Sequence, residues 1–321
     1  MNPQNRRQFI HRLAGVGLAG SAVNSQLSSA HAADSAKRRM TINLSPGSIG
    51  VSANQVQAIA LAHRYGFESV DAAGDFLGSL SDDQLKELLA DMKSKGVVFG
   101  SAGLPVDFRQ DDARFQETLS RLPKFAASLQ RAGVQRVGTY LSPGHDRLTY
   151  LQNFRLHADR LRAAAQILQD HGQRLGLEYV GTLTLRTARK FPFVHCLHEQ
   201  MELIAAIGVR NVGVILDSWH WWQAGDTVAD ILALHNEQVV SADLNDAPAG
   251  VPKEQQRDNR RELPAATGVI EAASFLNALN KIGFDGPVRA EPFNQVLNNL
   301  NNDEACAATA QAMKKAFALI E

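Results

Sequence analysis

Cysteine is nearly absent from the sequence, since Cys196 and Cys306 are the only two in 321 residues. Two thiols are too few for a disulfide framework or a cysteine-rich zinc site, so we interpret both as buried thiols and leave a single disulfide between them open. An excess of either charge is also lacking, because 33 basic residues balance 33 acidic ones. Nucleic-acid-binding proteins usually carry a basic excess, and the balance therefore argues against that class.

Long hydrophobic runs are lacking as well. The apolar, Gly- and Ala-rich stretch Leu13–Val23 is too short to cross a bilayer as a permanent helix. The composition, 45% apolar and 21% charged, is ordinary for a soluble globular protein and excludes a disordered or collagen-like chain. A chain of this length holds either two ordinary domains or one large α/β barrel.

Residues 1–32 are predicted to be a signal peptide. They contain three arginines and no acidic residue, then the apolar stretch, and they end in small residues around Ala32 at the spacing that signal peptidase requires. The pair Arg6 and Arg7, within the run NRRQFI, resembles the twin-arginine export motif, and an ordinary Sec signal that happens to contain two arginines is the alternative. Cleavage near Ala32 leaves 30 basic and 33 acidic residues, so the mature chain, residues 33–321, is predicted to be mildly acidic and periplasmic or otherwise exported.

Short β-rich runs alternate with helical patterns throughout the mature chain. The runs are Thr41–Ser45, Glu68–Ala72, Val97–Gly103, Arg136–Leu141, Arg174–Val180, Val212–Asp217, Val239–Leu244 and Pro287–Phe293. The patterns between them, such as Asp82–Gly96, carry apolar residues at helical spacing. Eight strand–helix units predict an α/β fold with parallel pairing, a single (β/α)₈ TIM barrel. An open doubly wound sheet is disfavoured because no G-x-G-x-x-G motif follows the first strand.

The stretch Ala247–Gly268 is too long and too polar for a tight turn of a barrel. It is rich in proline, glutamine and charged residues. Long loops after the strands build the active sites of TIM barrels. We therefore predict that this stretch is a substrate loop.

Four acidic residues lie near the ends of predicted strands five to eight. They are Glu178, Asp217, Asp243 and Glu291. Parallel strands of a barrel deliver their C-terminal ends to one mouth, where these carboxylates would repel one another strongly unless a cation lay between them. Oxygen ligands suit Mn²⁺ or Mg²⁺, and also Co²⁺. The pattern favours one divalent metal ion, and four unrelated caps or salt-bridge partners are the alternative interpretation.

Asp217 opens the run Asp-Ser-Trp-His, which puts His220 three residues later, where the chain leaves strand six. The imidazole is a candidate for binding the metal or a substrate hydroxyl. Trp219, Trp221 and Trp222 lie at the same point. We interpret them either as an apolar wall against a sugar ring or as ordinary core.

The densest motifs lie between Leu175 and Phe293. They read GLEYVG, VILDSWHWWQAG, VVSADLNDAPAG, RRELPAATGVI and IGFDGPVRAEPFN. On these motifs the mature chain resembles the sugar phosphate isomerase/epimerase superfamily, the xylose isomerase-like barrels that include ketose 3-epimerases and inosose dehydratases. In that family four groups at the ends of strands five to eight, in the order Glu, Asp, His and Glu, bind one divalent metal.

The metal ligands implied by the resemblance are Glu178, Asp217, Asp243 and Glu291. Asp243 departs from the family pattern, which commonly has histidine at this position. If Asp243 ligates through its carboxylate, the all-oxygen site favours Mn²⁺ or Mg²⁺ over zinc. The alternatives are a weakened site, or one that Asp246 or His220 completes.

The resemblance also implies the chemistry. A metal on a ketose carbonyl and its neighbouring hydroxyl acidifies the carbon-bound proton, which Glu178 and Glu291 then exchange as base and acid through a cis-enediolate. We predict a metal-dependent isomerase or epimerase of an unphosphorylated ketose or keto-sugar, since no glycine-rich phosphate loop is present. The alternatives are a dehydratase or β-eliminating lyase acting on a keto-glycoside or inosose, and a non-catalytic sugar-binding protein with a degenerate metal site.

Further candidates for substrate binding surround the predicted strand ends. The resemblance implies His220, and the strand ends suggest Arg186, Arg261 and His145. Zinc endonucleases of the apurinic-site type share this barrel but use several zinc ions and many histidines, whereas only His145 and His220 lie near strand ends here. The expected partner is a small-molecule sugar, with no nucleic acid and no membrane contact in the mature form, and a homo-oligomer is left open.

Overall fold

Parallel β-strands close into a barrel in the computed structural model, which describes residues 38–321. The strands are β1 (Thr41–Leu44), β2 (Ser69–Val70), β3 (Val98–Phe99), β4 (Ala102–Gly103), β5 (Arg136–Tyr140), β6 (Gly144–His145), β7 (Arg174–Glu178), β8 (Phe191–Pro192), β9 (Val212–Asp217), β10 (Val239–Leu244) and β11 (Pro287–Ala290). Nine of them pair in parallel in the order β3-β2-β1-β11-β10-β9-β7-β5-β4. Only Gly100 and Ser101 separate β3 from β4, so the two ends of this order are one stretch of chain and the sheet closes on itself.

The predicted α/β barrel is confirmed, because each predicted run contains a strand and β3 and β4 together form the third. The predicted bounds of β9 and β10 agree with the structure residue for residue. Both strands are buried at every position. Strands of a parallel sheet are covered on both faces, so they read as continuous aliphatic runs that are easily recognised.

Helices lie between most of the strands. The α-helices are α1 (Gln55–Tyr65), α2 (Gly74–Ser79), α3 (Asp82–Lys95), α4 (Asp112–Arg131), α5 (Tyr150–Asp170), α6 (Leu183–Arg186), α7 (Leu197–Ile207), α8 (Ser218–Ala224), α9 (Val228–Leu232), α10 (Ala272–Lys281), α11 (Gln295–Asn298) and α12 (Asn302–Phe317). Short 3₁₀ helices are Gly47–Ile49, Asn236–Gln238 and Lys253–Gln255.

Helix α3 shows how local sequence sets these bounds. The Ser81 side chain accepts a hydrogen bond from the backbone N–H of Gln84, and the Gln84 side chain accepts one from the backbone N–H of Ser81. This capping box satisfies two N–H groups that the first turn leaves free. Gly96 ends the helix at a φ of 66°, which glycine adopts without steric strain. One stripe of the helix is buried, formed by Leu85, Leu88 and Met92.

Small and large side chains alternate inside the barrel. A Cβ atom on Gly176 would lie 2.8 Å from Ile215 and from Val240, and one on Gly138 would lie 2.7 Å from Ile215. Glycine at these two positions leaves room for the aliphatic side chains of neighbouring strands. The polar residues at the strand ends therefore lie above a packed apolar layer.

The loops that follow β5 and β7 are joined to each other above the barrel. Strand β6 pairs antiparallel with β8. Beside this pair Asp146 accepts a hydrogen bond from Arg189 at 2.7 Å and one from the backbone N–H of Lys190 at 3.2 Å. The two loops therefore form one braced rim on this side of the mouth.

The predicted signal peptide, residues 1–32, lies outside the described residues. Among residues 38–321, no helix combines the length and apolar character that a membrane crossing requires. Cys306 is buried and Cys196 is half-buried, and both are free thiols. The disulfide that the sequence left open is therefore not formed.

Candidate active site and metal centre

The barrel brings the four predicted carboxylates together at its mouth. Glu178 and Asp217 are the last residues of β7 and β9, Asp243 lies in β10 one residue before its end, and Glu291 directly follows β11. One oxygen atom of each lies within 4.8 Å of one oxygen of every other. Because strand residues point alternately into and out of the barrel, each of these positions directs its carboxylate inward.

Glu178 is buried and lacks a full set of partners. Its Oε1 atom has no hydrogen-bond partner among the described residues, and His220 Nε2 lies 4.0 Å from it. Burial raises the pKa of this carboxyl well above its ordinary value, and the neighbouring Glu291 and Asp243 raise it further. Without a cation beside it, Glu178 therefore favours the protonated form.

Glu291 lies opposite two guanidinium groups. Its oxygens lie 3.2 Å from Arg289 and 3.6 Å from Arg261, and its backbone N–H donates to Asn245 Oδ1 at 2.8 Å. Burial raises the pKa of Glu291 to about 7, since Asp243 adds to this effect and the two arginines offset only part of it. This carboxyl can therefore both lose and gain a proton near neutral pH.

Asp217 has the opposite electrostatic setting. Its Oδ2 accepts a hydrogen bond from Arg261 at 2.6 Å, and its Oδ1 accepts one from the backbone N–H of Trp219, also at 2.6 Å. Burial alone would raise the pKa of Asp217, but the charge and hydrogen bond of Arg261 and the hydrogen bond from the Trp219 N–H more than offset this and lower the pKa below its ordinary value. Asp217 therefore stays ionised while Glu178 and Glu291 exchange protons more readily.

Asp243, at the position where the resembling family has histidine, forms a two-point ion pair with Arg289. The Nε and Nη2 atoms of Arg289 donate to its two oxygens at 2.6 and 2.9 Å. Burial raises the pKa of Asp243 although Arg289 opposes the change. Both oxygens of Asp243 are thus engaged by a cation that belongs to the protein.

Arg261 comes from the predicted substrate loop and is buried at the centre of the site, with 1% of its side chain exposed. It donates to Asp217 at 2.6 Å and to Asp258 at 2.8 Å, and its Nη2 lies 3.2 Å from His220 Nε2. Burial alone would lower the pKa of Arg261, but Asp217, Asp258 and Glu291 raise it above its ordinary value. The guanidinium is a permanent cation of the site.

His220 is a neutral hydrogen-bond acceptor in this arrangement. Arg261 can only donate, so the facing Nε2 atom of His220 carries the lone pair and the proton is assigned to Nδ1. The Nδ1 atom has no partner among the described residues. Burial lowers the pKa of His220 to about 4. His220 lies in the site as expected, but with Arg261 as its partner.

The charges of this cluster leave room for a divalent cation. Four carboxylates face two guanidinium groups, so two negative charges remain uncompensated when all four carboxylates are ionised. The unpartnered Glu178 Oε1 offers a free ligand atom, and Asp217 and Glu291 each keep lone pairs beyond their arginine contacts. The residues fit a divalent ion held by Glu178, Asp217 and Glu291, while Asp243 is tied to Arg289. One ring nitrogen of His220 lies within 4.8 Å of a carboxylate oxygen of Glu178 and of Asp217, so His220 could also contact such an ion.

The cluster opens into a cavity of about 480 Å³, which we call the active-site cavity. Its polar lining includes Glu178, His220, Asp258, Arg261 and Glu291. Val180, Leu185 and Phe293 add apolar surface. A cavity of this size, with convergent polar groups on an apolar wall, is typical of a site for a small polar molecule.

The other predicted residues lie in different places. Arg261 and His220 line the active-site cavity, His145 lines a cavity beside it, and Arg186 lines neither. The three tryptophans are also outside both linings, and Trp219 is fully buried with its indole N–H donating to Thr182 at 3.1 Å. Trp219 and Trp221 are therefore part of the core, whereas Trp222 is half-buried.

Asp246 does not complete the metal site. Its carboxylate accepts hydrogen bonds from four backbone N–H groups, those of Ala247, Thr267, Gly268 and Ile270. Asp246 and Glu262 are also joined by a β-bridge. The residue instead fixes both ends of the predicted substrate loop, which delivers Asp258 and Arg261 to the site.

Sequence reasoning missed Arg289, Asp258 and Phe293. Arg289 precedes Glu291 by two residues, and the period of a strand puts both on one face, which was a readable signal. Phe293 has a φ of 40°, a conformation that costs a non-glycine residue about 1–2 kcal/mol. In it the Phe293 ring lies 4.8 Å from the Arg261 guanidinium. No local sequence pattern predicts that Asp258 lies in the site.

Known proteins of similar sequence share this barrel. The profile of a family described as xylose isomerase-like TIM barrel matches residues 59–316. The inosose isomerase of Bacillus velezensis is 21% identical over 259 residues, which cover 79% of this chain and 88% of that protein.

Solved structures agree. A xylose isomerase domain protein from Alicyclobacillus acidocaldarius is 31% identical and superposes with a TM-score of 0.77, over 87% of this chain and 99% of that chain. An IolI protein with a bound zinc atom superposes with a TM-score of 0.71 over 87% of this chain and 98% of that chain. It is 18% identical, so this likeness concerns the fold alone.

Proposed function

The chain belongs to the xylose isomerase-like TIM barrel family, and we propose that it is a divalent-metal-dependent isomerase or epimerase of an unphosphorylated ketose or keto-sugar. In this proposal Glu178 and Glu291 move the carbon-bound proton next to the substrate carbonyl. The similarity to an inosose isomerase supports an enzyme of the isomerase kind.

The observation that carries the proposal is the pair of glutamates at one cavity, both with a raised pKa. The pKa of Glu291 is about 7, and that of Glu178 is well above its ordinary value. Proton transfer by a side chain is most effective when its pKa lies near the operating pH. The pKa of Asp217 is lowered instead. The site therefore combines one permanently charged carboxylate with two that can exchange protons.

Arg261 and His220 hold the site in a fixed charge state. Arg261 is buried against Asp217 and Asp258 and lines the cavity, so its positive charge is in place before any substrate enters. Fixed charges of this kind stabilise the negative charge that develops on a carbonyl oxygen when a neighbouring proton is removed. His220 accepts from Arg261 and fixes the orientation of the guanidinium.

Glu178, Asp217 and Glu291 are the residues that would hold the divalent ion. When bound, such an ion polarises the carbonyl and the adjacent hydroxyl of a keto-sugar and makes the carbon-bound proton more acidic. Carboxylate oxygens favour Mn²⁺ or Mg²⁺, with Co²⁺ as a further candidate.

The lining of the cavity supports an uncharged substrate. Arg189 is ion-paired with Asp146 at 2.7 Å and Arg261 with Asp217 at 2.6 Å, so both arginines of the lining already have acidic partners. A phosphate group bound in the active-site cavity would need a free cation or a cluster of backbone N–H groups in that lining. Sugar hydroxyls, which donate and accept, suit the mixed polar lining better.

We also propose that the enzyme works outside the cytoplasm. Residues 1–32 carry the pattern of a twin-arginine signal peptide, and phosphorylated sugars are mainly cytoplasmic. N-terminal sequencing of the protein from a periplasmic fraction tests this, with a start near Ala33 as the expected result. A start at Met1 in the cytoplasmic fraction alone would contradict it.

Proton exchange in D₂O tests the catalytic proposal. Wild-type protein with Mn²⁺ is expected to introduce deuterium at the carbon next to the carbonyl of D-fructose or an inosose, followed by NMR. Glu178→Gln and Glu291→Gln are each expected to slow this exchange by about 10²–10⁴-fold, because each removes one proton-transfer group.

Arg210→Gln is the control, since Arg210 is exposed and lies outside both cavities. Wild-type rates in both glutamine variants would contradict the assignment of Glu178 and Glu291. The products identify the reaction: an epimer or an isomer agrees with the proposal, whereas a dehydrated product assigns the protein to the lyases.

A further inference from the structure

A second cavity, of about 610 Å³, adjoins the active-site cavity, and we call it the adjoining cavity. The two share Tyr140, Ser142 and Arg189 in their linings. We propose that the adjoining cavity is a subsite for a glycosyl unit, so that the substrate is a glycoside of a keto-sugar and not a free monosaccharide. The inference rests on the proposed function only for the identity of the reacting ring.

The adjoining cavity offers hydrogen-bond donors that no acidic residue occupies. Arg109 and Arg147 line it, and neither forms an ion pair among the described residues. The Arg109 guanidinium lies 4.1 Å from the centroid of the Tyr140 ring and donates to the Tyr140 carbonyl, which fixes its position. A guanidinium presents its N–H groups as a planar fork, which suits two neighbouring oxygens such as vicinal hydroxyls.

His145 adds a donor of defined orientation. Its Nδ1 accepts hydrogen bonds from the backbone N–H groups of Arg147 at 3.0 Å and Leu148 at 2.9 Å. The neutral ring therefore carries its proton on Nε2, where it acts as a donor. The sequence marked His145 as a substrate-binding candidate, and the adjoining cavity is where it lies.

Two buried acceptors of the lining lack partners. Asn153 and His157 are each 3% exposed and both line the adjoining cavity. His157 Nδ1 donates to the Asn153 carbonyl at 2.9 Å, so its Nε2 is an acceptor. Asn153 Oδ1 and His157 Nε2 have no hydrogen-bond partner among the described residues. An unsatisfied buried polar atom costs about 1–3 kcal/mol, and a ligand hydroxyl is a donor that would satisfy either atom once its side chain turns toward the cavity.

The shape of the adjoining cavity is held by the braced rim. Strands β6 and β8 and the ion pair of Arg189 with Asp146 fix its wall on the side of the active-site cavity. At the junction Tyr140 is 51% exposed, and aromatic rings pack well against the C–H faces of sugars. Pockets for small molecules measure about 300–1,000 Å³, so each cavity has room for one ring.

Binding measured without turnover tests the subsite. The probes are lactulose, in which a galactosyl unit is linked to fructose, and D-fructose itself. Saturation-transfer NMR on wild-type protein and on Glu178→Gln is expected to mark both rings of lactulose. Titration is expected to give lactulose about tenfold tighter binding than fructose. Arg147→Gln and Arg109→Met are expected to remove this advantage and to leave fructose binding unchanged, which also shows that these variants fold.

Arg210→Gln is the matched control and is expected to retain the full advantage of lactulose. Equal binding of the two sugars, or saturation confined to the fructosyl ring, would overturn the subsite. If Arg147→Gln and Arg109→Met both keep the tighter binding of lactulose, the second ring binds elsewhere, and this result would also overturn the subsite. Deuterium exchange is not part of this readout, so failure of the subsite and failure of the proposed reaction are distinguishable.

Discussion

Arg289 changes what Asp243 can do at the metal centre. Its guanidinium engages both oxygens of Asp243, at 2.6 and 2.9 Å, and it also reaches Glu291 at 3.2 Å. A carboxylate whose two oxygens both accept from an arginine is a weaker ligand than Asp217, of which Arg261 engages only one oxygen, and a fixed positive charge repels an incoming cation. We therefore interpret Asp243 as the partner of Arg289, with Glu178, Asp217 and Glu291 left as the metal ligands.

This interpretation is testable by removing both charges at once. Asp243→Asn alone would leave Arg289 without its buried partner, which costs about 3–5 kcal/mol and obscures the result. The double variant Asp243→Asn with Arg289→Met is expected to bind Mn²⁺ at least as tightly as wild type, measured by calorimetry. The variant Asp243→His with Arg289→Met is expected to bind about tenfold more tightly, since it adds a neutral imidazole ligand.

The contrary result is equally clear. A loss of tenfold or more in Mn²⁺ affinity in the Asn/Met variant, with an unchanged circular dichroism spectrum, would show that Asp243 is a ligand. The Mn²⁺ electron paramagnetic resonance spectrum gives a second readout, because loss of a ligand alters the coordination shell whereas loss of a distant partner does not.

At the scale of single residues, the sequence predicted the acidic residues of the site better than the basic residues that pair with them. Glu178, Asp217 and Glu291 could be found because each ends an apolar strand, and strand ends of a barrel meet at one mouth. The pairing of Arg289 with Asp243 depends on two strands whose sequence separation is 46 residues, and no local pattern encodes it.

Among the elements, the loop between β10 and α10 depends on one carboxylate. Asp246 is buried, and its four backbone N–H partners lie at both ends of the loop. Asp246→Ala is expected to destabilise the protein by about 3 kcal/mol or more, because these N–H groups lose their acceptor. Asp246→Asn keeps one acceptor oxygen, so we expect a smaller loss.

The loop also delivers Arg261, so this variant has a catalytic readout. Hydrogen exchange over residues 247–268 is expected to rise in Asp246→Ala, and kcat/KM is expected to fall because Arg261 is no longer held against Asp217. Asp230→Ala, in the exposed capping box of α9, is a control that removes a carboxylate bonded to backbone N–H away from the site. Unchanged exchange in the loop would contradict the role of Asp246.

The elements differ in how far the sequence specifies them. Long aliphatic strands such as β9 and β10 were predicted to the residue, because burial on both faces leaves a continuous apolar run. Strands β6 and β8 have two residues each and were not predicted. Such short pairs are created by the loops that the barrel brings together, and their own sequences carry little β preference.

At the scale of the whole molecule, stability responds to pH through buried groups that oppose one another. Burial lowers the pKa of His157 to about 4, and it raises the pKa of Glu291 to about 7. Below about pH 6.5 the unfolded chain protonates its histidines while folded His157 stays neutral, so this residue makes the protein less stable as the pH falls. Glu291 acts in the other direction, since folded Glu291 holds a proton that the unfolded chain releases above about pH 4.5. The two effects partly cancel in wild type.

Substitution of His157 isolates its contribution to the pH dependence of stability. Between about pH 6.5 and 4 this histidine is expected to reduce the free energy of unfolding by about 3 kcal/mol, at about 1.4 kcal/mol for each pH unit. His157→Phe retains the ring contacts with Phe108 and Phe193 and cannot be protonated. Its stability, measured by urea unfolding, is therefore expected to decline less than that of wild type over this range. His198→Gln alters an exposed side chain and is expected to follow the wild-type curve. Parallel curves for wild type and His157→Phe would show that the pKa of His157 does not differ between the folded and unfolded states, and would contradict the prediction.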